Sequence, residues 1–146
     1  NAYVLRQGED EAPEGLKAAL ATGNRLQDIV IGEFVAGKTG NQLLAATLSK
    51  AGSEGIKASV YCHPLGYHGH AAGPIIGLWD NQASVQGRGD YELFDNTCHA
   101  IELNIKQAVP EWGGQEVTMA LEEDAVFTGG KVYWLDGRQT KLHLIR

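Results

Sequence analysis

The apolar residues Leu16, Ala19, Leu20, Leu26, Ile29 and Val30 recur at about 3.6-residue spacing, which predicts an amphipathic helix opening at Pro13. Glu14 near its start suits the N-terminal dipole, and Gly37 is the stop signal. Gly23 within the run costs up to about 1 kcal/mol relative to Ala. A second helix follows Thr39 as N-cap, carries Leu43, Leu44, Ala46 and Leu48, and ends at Gly52 or Gly55. Ahead of both, Asn1 to Arg6 reads as a strand already under way, with no initiator Met and no turn signal, so residues are expected upstream.

After Gly55 the period changes to two. Ile56 to His63 predicts a strand that runs into a Gly/His/Pro stretch too rich in backbone breakers for regular structure. From His99 to Lys106 the alternation is clean, with Ile101, Leu103 and Ile105 on one face and Glu102 and Asn104 on the other. Val117, Met119 and Leu121 repeat it, placing Thr118, Ala120 and Glu122 opposite. Two strand-borne carboxylates are therefore expected on one sheet face. Val126-Phe127, Gly129-Gly130 and Val132-Tyr133-Trp134 predict a hairpin, followed by an Asp136-Gly137 turn ahead of Leu142, Leu144 and Ile145. Helices first and strands afterwards give an α+β class, with the two helices on one side of the sheet.

The length of 146 residues, with 43% hydrophobic and 21% charged, fits one ordinary domain covering 1–146. A formal charge of −6, with only 12 scattered basic residues, argues against broad binding to nucleic acid or an anionic membrane. No apolar run approaches the roughly 18 residues of a bilayer span, and no signal segment opens the chain, so the default expectation is cytoplasmic. Cys62 and Cys98 show no CxxC spacing and call for no bridge.

Chemistry concentrates in Tyr61 to Pro74, where His63, His68 and His70, three of the five histidines, fall within eight residues. Histidine is the commonest metal ligand and titrates near neutrality, so this stretch ahead of carboxylate-bearing strands points to a metal-assisted or acid/base site. Blander readings stand beside it. A histidine in a Gly/Pro loop is more often a satisfied loop residue, a strand glutamate more often a salt bridge, and a register slip of one would exchange Glu122 for Glu123. Cys62 points away from His63 as a small buried hydrophobe, Trp79-Asp80 packs and turns, and His99 and His143 are structural.

Three motifs together resemble the M24 metallopeptidases, the pita-bread family of methionine aminopeptidase, Xaa-Pro aminopeptidase, prolidase and creatinase. His63-Pro64-Leu65-Gly66-Tyr67-His68-Gly69-His70 is similar to the family's segment from its metal-binding histidine to a second histidine seven residues on, with Pro74 following. Ala100-Ile101-Glu102-Leu103-Asn104 resembles the strand bearing one glutamate ligand. Leu121-Glu122-Glu123-Asp124-Ala125-Val126-Phe127-Thr128 resembles the segment bearing the last. The resemblance implies a curved antiparallel sheet backed by two helices, with His63, Glu102 and Glu122 on a divalent zinc, manganese or cobalt ion. By the same resemblance His70 would sit at the substrate carbonyl; His68, two residues before it, is a candidate helper whose role is not carried over from the family.

The sequence departs from the family in two places. Ala71 stands where an acidic residue follows the second histidine, and the two metal-ligating aspartates are absent, since Asp10, Asp28, Asp80 and Asp90 lie in the wrong context. The chain therefore resembles the C-terminal portion of such a domain, with one imidazole and two carboxylates left, the ligand count of a mononuclear catalytic site. The implied activity is hydrolysis of a peptide, amide or ester bond in a small-molecule or peptide substrate by a metal-bound hydroxide. Phosphate-ester hydrolysis with the reduced site and a metal-free binding module are the alternatives, and an open sheet edge implies a homo-oligomer.

Overall fold

The computed structural model describes residues 1–146. The elements run β1 (Ala2–Val4), α1 (Glu14–Gly32), α2 (Gly40–Ser53), β2 (Lys57–Val60), β3 (His63–Gly66), β4 (Gly69–His70), β5 (Thr97–Val109), β6 (Gln115–Thr128), β7 (Lys131–Trp134) and β8 (His143–Ile145). Strands β4-β3-β5-β6-β7 pair in that order, with β2 beside β3 along the same edge of β5. Every pairing in this sheet is antiparallel. β1 and β8 form a separate parallel pair.

Both helices cover one face of the sheet. Leu20, Leu26 and Ile29 of α1 and Leu43 and Leu44 of α2 are buried against Ile101, Leu103, Ile105 and Phe127. Full burial of side chains of this size contributes roughly 1.5–3 kcal/mol each. The alternation of β5 and β6 is as expected, which leaves Thr118, Ala120 and Glu122 on the uncovered face. Gly23 is explained by the helix crossing, because a Cβ there would stand 2.3 Å from Leu121 Cδ1.

Thr39 caps α2 through a capping box with Gln42: its hydroxyl accepts the Gln42 N–H at 3.2 Å, while the Gln42 side chain accepts the Thr39 N–H at 2.9 Å. α1 stops at Gly32 instead of Gly37. The Glu33 and Phe34 N–H groups tighten onto Val30 and Ile31, and Phe34 leaves the helix to fill the core against His99 and Phe127. The strand expected over Ile56 to His63 is broken at Tyr61-Cys62, because Cys62 exchanges both backbone hydrogen bonds with Ile76. The first part of the Gly/His/Pro stretch is regular, and only Ala71 to Pro74 is irregular as expected. Gly66 pairs with Gly69 and Leu65 with His70, so β3 and β4 form a tight hairpin turned by Tyr67 and His68.

The segment after β4 is irregular but pinned. Gln82 accepts the Val60 N–H at 2.9 Å and donates to the carbonyls of Val60 and Leu78, while Asn41 of α2 accepts the Val85 N–H at 2.7 Å. Gly77 turns with φ +79°, where a Cβ would lie 2.1 Å from the Val60 carbonyl oxygen. These clamps hold residues 75–94 as a fixed wall beside β2 and β3.

Candidate metal centre

Glu102 on β5 and Glu122 on β6 are direct cross-strand partners, so both carboxylates rise from the same spot on the uncovered face. His63 opens β3 opposite Ala100, which brings its ring beside them. His63 Nε2 lies 3.7 Å from Glu102 Oε2, and one donor atom from each of the three residues falls within 4.8 Å of the others. Burial is graded: His63 is buried, Glu102 half-buried and Glu122 exposed, so the cluster is anchored below and open above.

Nδ1 of His63 sits 3.0 Å from the Pro64 carbonyl oxygen, which can only accept, so Nδ1 carries a hydrogen and Nε2 is the nitrogen that faces Glu102. No lysine or arginine pairs with either glutamate. Burial holds the Glu102 carboxyl above the usual carboxylate range, and the Glu122 charge adds to this while His70 opposes it. An imidazole nitrogen and two carboxylates, uncompensated and converging, fit one divalent cation.

His70 stacks on His63, with ring centroids 3.9 Å apart and planes at 25°, and its Nε2 lies 3.1 Å from the Tyr61 hydroxyl. His68 is placed elsewhere. It sits on the exposed β3–β4 turn with its ring edge-on to Tyr67, because the two-residue hairpin turn projects it outward. Cys62 is buried with its thiol pushed up to about 12 by desolvation, and neither it nor Cys98 is bridged. His99 is buried among apolar groups with both ring nitrogens unpartnered, and burial pushes it down to about 4.

A cavity of about 780 Å³ opens beside the cluster, lined on the near side by Tyr61 and His70, whose rings pack on His63; its far wall carries Arg88, Tyr91, Glu92 and Phe94. Arg88 and Glu92 make no ion pair. Sequence reasoning assigned no role to these residues. Tyr61 had a signal, two positions before His63 in an alternating run, whereas Arg88 lies in an aperiodic segment held by the clamps of Gln82 and Asn41 and by its own carbonyl, which accepts the Ile75 N–H at 3.1 Å.

No family model matches the chain, and no curated protein does. Solved structures do. The X-Pro aminopeptidase from Thermotoga maritima superposes with a TM-score of 0.65 at 19% identity, covering 92% of this chain and 35% of that one. The dipeptidase PepE from Mycobacterium ulcerans gives 0.62 at 19%, covering 93% of this chain and 33% of that one. A dipeptidase from Pyrococcus horikoshii gives 0.61 at 23%, covering 99% and 36%. The fold is the pita-bread peptidase fold. The chain spans about a third of the length of these peptidases. The two helices on one face of an antiparallel sheet agree with the α+β class expected from the sequence.

Proposed function

We propose that this chain is a hydrolytic unit that acts on a peptide, amide or ester bond with one divalent cation held by His63, Glu102 and Glu122. The observation that carries the reading is the convergence of those three donors, with no basic partner, beside a large cavity in a fold shared with aminopeptidases and dipeptidases. A cation there would polarise a carbonyl and make water acidic near neutral pH. His63 binds through Nε2 because Pro64 fixes its tautomer, and the two glutamates supply the anionic charge. His70 faces the cavity where the scissile group would lie. Arg88, unpaired on the opposite wall, offers a planar fork suited to a substrate carboxylate, which favours short peptides with a free end. Zinc, manganese and cobalt all accept this donor set.

The test is metal content by plasma mass spectrometry on chelator-rinsed, reconstituted protein, beside His63→Ala and Glu102→Ala. Near-stoichiometric metal in the wild type, lost in both variants, is expected. Wild-type protein that stays metal-free after reconstitution overturns the reading and leaves a binding module built on the same fold.

A further inference from the structure

Tyr61 belongs to no ligand set, yet it is held on every side. Its N–H donates to the Glu102 carbonyl at 2.9 Å, its ring lies 5.5 Å from that of His63 and 5.7 Å from that of Trp79, and its hydroxyl meets His70. Both Tyr61 and His70 line the cavity. The tip nitrogen of His70, the atom an imidazole would offer to a substrate, is already taken at 3.1 Å, and one face of its ring lies on His63. With the His70 hydrogen on Nε2, the Tyr61 oxygen accepts it and the phenolic O–H is left to turn into the cavity.

We propose that Tyr61 is a catalytic residue of this site: its hydroxyl donates a hydrogen bond to the substrate carbonyl oxygen, while His70 holds that hydroxyl from behind. The inference rests on the hydrolase reading above. His70 Nε2–H donates to the Tyr61 oxygen and the Tyr61 O–H donates onward, so each hydrogen is used once and no proton changes owner. The chain polarises along its length, and the outer hydrogen bond strengthens as negative charge grows on the carbonyl oxygen. His70 then acts through Tyr61, as a positioning residue.

Three measurements on the intact chain test this: calorimetric zinc titration, binding of acetohydroxamate to the zinc-loaded protein, and turnover of X-Pro dipeptides. Tyr61→Phe keeps the ring and its packing. It should bind zinc within threefold of wild type, bind acetohydroxamate about tenfold more weakly, and lose roughly 10²–10³ in kcat with KM within threefold. His70→Ala should match Tyr61→Phe, whereas His70→Gln, whose amide N–H can still hold the hydroxyl, should keep hydroxamate affinity within threefold. Unchanged hydroxamate affinity and kcat in Tyr61→Phe overturn the role of Tyr61 alone. Loss of zinc affinity in Tyr61→Phe also overturns it, by making the residue a structural prop. A wild type that binds no zinc overturns the hydrolase reading itself.

Discussion

Glu102 and Glu122 face each other across a hydrogen-bonded ladder with no lysine or arginine to offset them, so without a cation their proximity is a cost to the fold. The folded-state pKa of Glu102 lies above its unfolded value. Between those two values the folded metal-free chain binds more protons than the unfolded one, so stability falls as pH rises through the window. Glu102→Gln should therefore stabilise the metal-free protein at pH 7, by roughly 0.2–1 kcal/mol on the scale of a like-charge cross-strand pair. Thermal unfolding should show a rise of about 1–3 °C for a chain of this size. The same substitution should remove metal binding. A lower melting temperature in the metal-free variant would mean that Glu102 makes a stabilising contact the ladder does not reveal.

At the scale of elements, register decides which carboxylate serves. Slipping β6 by one residue would bring Glu123 to the open face, but Glu123 is committed on the other side, where it accepts the Gln139 N–H at 2.9 Å. The crossing of α1 over β6 is similarly exacting. Gly23→Ala gains up to about 1 kcal/mol of helix propensity, yet its methyl group meets the buried Leu121 side chain, and overpacking costs about 1–3 kcal/mol. Net destabilisation near 1 kcal/mol is expected, read as a lower urea midpoint with an unchanged slope. Strands β5 and β6 were legible because every second residue reports burial, and α2 was legible because Thr39 announces its start. The β3–β4 hairpin was hidden because glycine and proline density signals loop and tight hairpin alike. The cavity wall was hidden because Gln82 and Asn41 hold it by side-chain-to-backbone bonds, which leave no period in the sequence.

At the scale of the whole molecule, the helices cover one face of the sheet and the other stays open, carrying the cluster and the cavity mouth. No helix is long and apolar enough to cross a membrane. The exposed strands β4 and β7 at the flanks leave self-association as an expectation, with twice the 15.7 kDa chain mass by light scattering at micromolar concentration. A monomeric mass there would remove it. The parallel pairing of β1 with β8 sets a different property. Ala2 pairs with His143 and Val4 with Ile145, with Leu5 N–H donating to the Ile145 carbonyl at 2.9 Å. Pulling on the two ends of this chain would load those bonds together, in shear, so the β1–β8 clasp would bear force first while the sheet that carries His63, Glu102 and Glu122 stays slack. In a single-molecule stretching trace the clasp should give way as an early, separate event, with the sheet and its two helices still folded behind it.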